Sequence, residues 1–404
     1  MEETHRRGAG ELPLGGLKVV DIATLVAGPF IATYLGDYGA EVIKVEHPRG
    51  DPLRTFASHR NGVSLWWKFV SRNKKNITLN LSKPRGQGIL KELLRDADVL
   101  VENFRPGTLD RWDLSWETLH ALNPRLVVAR TTGFGQKGPY ARRPGFGTLA
   151  ESMSGFAHIT GLPDGPPTLP PFALADGISA LCGTFAVLIA LYHRDLRGGE
   201  GQEVDIAIYE PIMTVLGAQP IVYDQLGVIQ GRTGNRTPFS SPRNAYRCKD
   251  GRWVAISASS PTIFPRVMAA VGRPDLAEDP RMQTHAGRLR HGDELDAAIG
   301  GWIAEHTLEE TVDHFAEFEG ALAPIYDVAQ IFEDPHFRFR ETITAVPDEE
   351  LGPVRMQNVI PRLPGTPGRI RWAGQPKGRF NQEVYGKLGY TAEDLKRLEE
   401  EGVI

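Results

Sequence analysis

The sequence predicts an α/β protein with an open parallel sheet and a second, smaller α/β domain. Three observations carry this expectation. The 404 residues exceed what one hydrophobic core usually holds. Within the first 210 residues, short β-branched runs alternate with helical stretches. Those runs are nearly continuous in apolar character, as strands buried on both faces tend to be.

The expected strands are LKVVDI (17–22), EVIKVE (41–46), DVLVE (98–102), RLVVART (125–131) and EVDIAI (203–208). A helix follows the first, from Pro29 to Tyr38, with proline in its permitted first turn. In such a sheet, ligands bind at the carboxyl ends of the strands. The texture changes after Val228. NAYRCKDGRWVAIS (244–257) reads as a hairpin turning at Asp250-Gly251. Thr307 to Glu310 has a capping-box pattern, and a strand-like piece begins at Ala321. Residues 1–228 are therefore assigned to a large domain, 229–328 to a small α/β domain, and 329–404 to an extended Pro/Gly-rich return that ends in a helix near Thr391.

Composition narrows the function classes. The formal charge is −4, from 46 Lys and Arg against 50 Asp and Glu, which gives no footprint for nucleic acid or an anionic membrane. The two cysteines, Cys182 and Cys248, form no C-x-x-C motif, so neither a disulfide framework nor a zinc site is expected, and no metal residue is assigned. The opening MEETHRRGAGELPLGG lacks the apolar segment of a signal peptide, and a cytoplasmic protein is expected. The apolar run Ile178 to Tyr192 falls short of the roughly 20 residues of a membrane span and is read as a buried core helix.

Three features bear on chemistry. The small-residue turn Val26-Ala27-Gly28-Pro29 opens a helix and offers backbone N–H groups to a ligand, although taken alone it reads first as a tight strand-to-helix turn. It lacks the G-x-G-x-x-G dinucleotide pattern. Bases recur beyond strand ends at His47, Arg49, Arg72, Lys74, Lys75, Arg105 and Arg111, an arrangement suited to a phosphate-rich ligand. Asp176 stands alone at the front of the long apolar run in LPPFALADGISALCG. As a helix N-cap it contributes about 0.5–2 kcal/mol. As a carboxylate kept ionised by the helix N-terminus, it is a nucleophile.

Taken in order, LKVVDIATLVAGPFIATYLGDYGAEVIKVEHPRGDPLR, RNKKNITLNL, DVLVENFRPGTLDRWDLSWETL, FGQKGPYARRPGFGTLAESMSGFAHITG and LADGISA resemble the family III CoA-transferases, the CaiB–BaiF family. The closing EVYGKLGYTAEDLKRLEEEGVI resembles that family's carboxyl end. The resemblance implies a Rossmann-like CoA-binding domain built from both chain ends, a smaller central domain, and an interlocked homodimer whose extended tail wraps the partner. It implies Asp176 as nucleophile and Leu25, Val26 and Ala27 along the CoA site. Asn103, Phe104 and Arg111, joined by Asn73 and Lys74, then contact the adenine–phosphate end. His47 stands where relatives often carry arginine, and Arg49 is its substitute in a phosphate contact. Tyr140 is implied as a pocket residue. CoA and acyl-CoA enter as substrates, with no tightly bound cofactor.

Two departures refine the expectation. GNRTPFSSPRNAY lacks the glycine run of the oxalate-using members, which argues against oxalate as acceptor. Phe146 and Gly147 replace the His-Asp pair of the related racemases, which favours transfer over racemisation. The expected reaction moves CoA between acids through an aspartyl anhydride and an aspartyl-CoA thioester. Small dicarboxylyl groups of the succinyl, malyl, itaconyl or mesaconyl kind are the expected substrates, intramolecular transfer included. A racemase-like isomerase using Asp176 in proton transfer is the alternative, and a silent CoA-binding protein needs Asp176 only as a cap. Glu151 and His158 face the pocket or are respectively a solvated helix residue and a structural histidine.

Overall fold

The computed structural model describes residues 12–404; the first eleven, on which most of the signal-peptide reading rests, lie outside the described residues. Six strands form one sheet: β1 (Lys18–Asp21), β2 (Glu41–Glu46), β3 (Lys74–Thr78), β4 (Val99–Glu102), β5 (Val127–Thr132) and β6 (Glu203–Ala207). Their order is β3–β2–β1–β4–β5–β6, and every neighbouring pair is parallel. This is the Rossmann order. The chain winds one way from β1 and the other way from β4, so a crevice opens at the carboxyl ends of those two strands.

Five strands are the runs expected from sequence. β3 is not among them, because KKNIT carries two lysines and an asparagine. Lys74 and Asn76 are nevertheless fully buried. Charge pairing makes this tolerable for Lys74, whose Nζ lies 2.9 Å from Asp21 Oδ2 and 2.6 Å from Pro29 O.

Alternate strand residues feed two cores, as the period of two requires. Val20, Ile22, Val45, Ile77, Leu100 and Val128 share one face with Leu93, Leu119 and Tyr385. Val19, Val42, Val99, Val101 and Val127 share the other with residues of helices α1 (Ala27–Asp37) and α3 (Leu174–Leu196). The short helix α2 (Gly147–Met153) lies between these two in sequence.

Helix α3 corrects the expectation of a wholly buried core helix. It runs 23 residues and is long and apolar enough, by length and composition, to cross a bilayer. One stripe, Ala180, Gly183, Val187, Ala190, Leu191 and Arg194, is buried. Leu181, Phe185, Leu188, Ile189, Tyr192 and Leu196 are exposed. Gly183 sets the close approach of α3 to its neighbours: a Cβ there meets Ile31 Cδ1 at 2.5 Å and Ile206 Cδ1 at 2.8 Å. Gly183→Val is therefore expected to destabilise the fold by about 1–3 kcal/mol, read as a lower denaturation midpoint in urea.

Contacts divide the chain into two units, one comprising Ala157–Leu169 and Ala218–Arg338, the other the remaining described residues. The smaller unit thus begins before 229, extends past 328 and takes in the segment holding His158. Its sheet has the order β9–β8–β7, from β7 (Arg243–Arg247), β8 (Trp253–Ser257) and β9 (Leu322–Pro324), all antiparallel. Gly251 takes φ +85° in the hairpin turn. Thr307 and Glu310 close a capping box on the helix Leu308–Glu317.

Residues 339–404 belong to the larger unit. They lie along the β3 edge: Asn73 N–H donates to Trp372 O at 3.1 Å, Phe380 N–H to Asn76 O at 3.0 Å, and Tyr385 Oη to Thr78 O at 2.6 Å. The return segment thereby covers an edge that would otherwise present unpaired backbone groups.

Candidate active site

The crevice is built on a buried charge network. Asp21 ends β1, and its Oδ1 accepts from Ala23 N–H at 3.0 Å. Lys44 on β2 lies 3.2 Å from Asp51 Oδ2 and 3.8 Å from Asp21 Oδ1, and also donates to Ala23 O. Asp51 Oδ1 accepts from Leu53 N–H at 2.8 Å and Leu25 N–H at 3.3 Å. Together with Lys74, two cations and two anions hold the loop after β1 from beneath. Burial, reinforced by the Lys44 charge and opposed by Asp21, pushes Lys74 down to about 8.

Asn103, just beyond β4, clamps the same loop from the side. Its Oδ1 accepts from Thr24 N–H at 2.8 Å, and its Nδ2 donates to Thr24 O at 2.7 Å. Between these supports Leu25 adopts φ +64°, a left-handed conformation rare for leucine. Helix α1 then begins at Ala27. Gly28 is required there, since a Cβ meets Ala23 Cβ at 2.6 Å. The first-turn N–H groups of Ala27 and Gly28 have no partner within the helix. Asn103→Ala removes both bonds to Thr24 and is expected to raise the KM for acyl-CoA more than it lowers kcat, a split read from initial rates.

A cavity of about 700 Å³ opens over these elements. Leu25, Val26, Ala27, Asn103, Phe104 and Asp176 all line it, so the sequence-expected loop, strand end and carboxylate converge. A second cavity of about 140 Å³ shares Thr24 and Phe104 with the first and is lined by His47. His47 Nδ1 accepts from Arg49 N–H at 3.0 Å, and burial with the Arg49 and Lys377 charges lowers its pKa.

Asp176 is not the N-cap. Helix α3 starts two residues earlier, with Ala173 in the cap position and no side-chain cap bond there, which places Asp176 third in the first turn. Glu151 of α2 supplies a carboxylate instead: its Oε1 accepts from Ala175 N–H at 3.2 Å. Nor does the helix hold Asp176 at a low pKa. Burial, helped by the Glu151 charge, pushes it up to about 6. Asp176 packs against Gly147, where a Cβ meets Oδ2 at 2.5 Å and Cγ at 3.0 Å.

Other expected residues fall elsewhere. Asn73 is buried, donating to Asp37 Oδ1 at 2.8 Å and Arg369 O at 2.9 Å and accepting from Arg371 N–H at 2.7 Å. Lys74 is held by Asp21, so both support the scaffold and neither lines a cavity. Arg72 forms a buried pair with Asp37 at 2.7 Å, and Lys75 pairs with Glu41 and Glu383. Arg49 and Arg111 are exposed outside both cavity linings; Arg111 donates to Thr108 Oγ1 at 3.0 Å. Tyr140 also lies outside the linings, 5.9 Å from the Phe134 ring and under the Arg143 guanidinium at 3.8 Å. His158 is exposed in the smaller unit. Glu151 is buried and lines the large cavity. Sequence reasoning missed Arg143, Thr131, Phe172 and the edge-to-face pair Phe56–Trp66, all on that cavity. The aromatic run LWWKFV was the available signal for the last.

A doubly wound sheet with a carboxylate beside its switch-point cavity defines a ligand-binding α/β enzyme. The model of CoA-transferase family III matches residues 14–381, and the chain belongs to that family, transferring CoA between carboxylic acids. It is 44% identical over 395 residues to a succinyl-CoA–D-citramalate CoA-transferase of Chloroflexus aurantiacus, covering 97% of this chain and 98% of that one. It is 40% identical over 399 residues to the beta subunit of a succinyl-CoA–L-malate CoA-transferase of the same organism, with 97% and 98% covered. The structure of a CAIB/BAIF family protein from Brucella suis superposes with a TM-score of 0.82 at 30% identity, over 94% of this chain and all of that one.

Proposed function

We propose that the enzyme moves CoA from a small dicarboxylyl-CoA to a carboxylic acid through covalent intermediates on Asp176. The observation that carries this reading is the half-buried Asp176 carboxylate on a cavity walled by Leu25–Ala27. The succinyl-CoA-using relatives support the substrate class.

An Asp176 oxygen attacks the thioester carbonyl. The C–S bond breaks and CoA thiolate leaves, giving a mixed anhydride. The thiolate attacks the aspartyl carbonyl, releasing the donor acid and leaving an aspartyl-CoA thioester. The acceptor carboxylate attacks that thioester, and the thiolate then attacks the new acyl carbonyl and frees Asp176. The N–H groups of Ala27 and Gly28 are the donors for oxyanions formed along this path. CoA stays against the Leu25–Ala27 loop throughout, so its thiolate remains close to attack geometry. Phe104 lines both cavities, and our reading puts the nucleotide end of CoA toward the second, which His47 lines.

Incubation with succinyl-CoA and hydroxylamine tests the covalent path. The expected result is inactivation, with a hydroxamate at Asp176 found by peptide mass spectrometry. Full activity and an unmodified Asp176 would sink it. Activity also depends on pH with a definite sign. Only the carboxylate is nucleophilic, so kcat/KM for the free enzyme rises through about pH 6 as Asp176 ionises. Glu151→Gln keeps an acceptor for Ala175 N–H, removes the neighbouring charge and moves that inflection to lower pH.

The exposed face of α3, with Leu181, Phe185, Ile189 and Tyr192, is an apolar surface of the kind that subunits cover. We assign it to the interlocked homodimer in which the tail wraps the partner. Sedimentation equilibrium is expected to give twice the chain mass; a monomer at micromolar concentration overturns this assignment.

A further inference from the structure

We infer that Glu102 is a positioning residue for CoA binding: its buried carboxylate fixes, from behind, the turn through Asn103 and Phe104. This rests on the reading above that CoA lies against Leu25–Ala27 and Phe104, and deepens it. Glu102 is the last residue of β4 and is 2% exposed. Its Oε2 accepts from Phe104 N–H at 2.7 Å. Successive strand side chains point to opposite faces. Glu102 therefore holds the turn on one face, while Asn103 reaches Thr24 from the other. The Phe104 ring packs edge-to-face on Trp112, with centroids 5.1 Å apart, and lines both cavities.

Ion pairing does not account for this acid. Glu102 stands beside Arg130 of β5 in the sheet register, yet Arg130 Nε lies 3.6 Å from its Oε1, beyond hydrogen-bond length. Arg130 Nη1 turns instead to Glu203 of β6 at 3.0 Å. Its Nε and Nη2 have no hydrogen-bond partner among the described residues. A buried pair held so loosely does not repay the desolvation of its charges. An apolar side chain would serve the core better; an acceptor placed here serves the turn. The groups that face Glu102 are Arg130, Glu203 and, from the helix Thr108–Arg111, Asp110. Burial pushes Glu102 up to about 7, against the Arg130 charge and the Phe104 N–H and with the Glu203 and Asp110 charges. Below that value the carboxyl is neutral and the bond to Phe104 N–H loses its charge assistance. The turn is thus held more firmly as pH rises through about 7.

The test titrates CoA by calorimetry into the full chain carrying Asp176→Asn, which removes the titration of the nucleophile. The Kd is expected to fall about threefold from about pH 6 to about pH 8, since a charge-assisted bond is roughly twice as strong as a neutral one. Glu102→Gln keeps an amide oxygen for Phe104 N–H but no charge. It is expected to flatten the difference and hold the weaker, low-pH affinity throughout. The CoA phosphates and His47 titrate alike in both proteins, so the difference between the two profiles belongs to Glu102. Glu102→Leu removes the acceptor and is expected to raise the Kd roughly tenfold at the higher pH, because the loosened turn must be ordered on binding. Unchanged affinity in folded Glu102→Leu, or the parent's pH dependence persisting in Glu102→Gln, overturns the inference. Should the leucine variant not fold, the glutamine profile decides alone. Asn103→Ala in the same background reports on the placement of CoA. An unchanged Kd there refutes that placement, whereas weakened binding there with an indifferent Glu102 refutes this inference alone.

Discussion

Replacing Asp176 with alanine is expected to lower the rate of CoA transfer by about 10⁴- to 10⁶-fold, the scale reached when a covalent nucleophile is removed. The loss belongs in kcat, because Leu25–Ala27 and Asn103 still line the cavity and CoA binding does not run through the carboxylate. Stability moves the other way. Asp176 has its pKa raised to about 6, chiefly by burial. The unfolded chain releases this proton near pH 4, whereas the folded chain keeps it until about 6. Between these values the native state binds more protons, so the group's contribution to stability falls as pH rises and stays low above 6. Asp176→Ala removes that liability, and its melting temperature at pH 7 should equal or exceed that of the wild type. Discontinuous assay with labelled succinate and differential scanning calorimetry read the two effects. Substantial transfer by the alanine variant would remove Asp176 from the reaction path.

The same burial explains why part of the site is legible in the sequence and part is not. β1, β2, β4, β5 and β6 show as apolar runs because both their faces are covered. β3 is covered as well, but its interior side includes Lys74, whose partner Asp21 is far away in sequence. A base after a strand looks the same whether it faces a phosphate or a buried aspartate. That is why Lys74 reads as a phosphate contact and folds as scaffold; Asn73, which only the family resemblance implied, is likewise held by Asp37, Arg369 and Arg371. Leu25–Ala27 and Asn103–Phe104 sit beside the switch point, where connectivity itself makes the crevice, so their placement follows from strand order.

Asp176 shows the limit of local pattern from another side. An acid at the head of an apolar run reads as a cap, yet Leu174 and Ala175 are already helical and Glu151 accepts the Ala175 bond. Substituting one carboxylate for another at the helix end leaves Asp176 free to face the cavity. It also puts a second negative charge nearby, and that charge adds to burial in raising the Asp176 pKa. The periodicity of α3 likewise could not separate its buried stripe from its exposed one, because both are apolar.

Gly147→Ala is the second large effect, and it tests geometry rather than chemistry. Gly147 opens α2, and its backbone is not in the left-handed region, so alanine carries no conformational penalty there and has the higher helix propensity. The added methyl meets Asp176 Oδ2 at 2.5 Å, too close for any carbon–oxygen contact. The flexible partner is the aspartate side chain, which must turn aside, whereas α2 is fixed by Ala150 in the buried cluster with Ala27 and Ala175. A displacement of about 1 Å in a reacting atom costs on the order of 10²-fold in rate. Gly147→Ala is therefore expected to lose roughly that factor in kcat while the Kd for CoA and the melting temperature hold. Gly147→Val, bulkier and β-branched, should lose more. Full activity in the alanine variant would mean that the carboxylate reacts from another rotamer, and the contact with Gly147 would then have no part in aiming it.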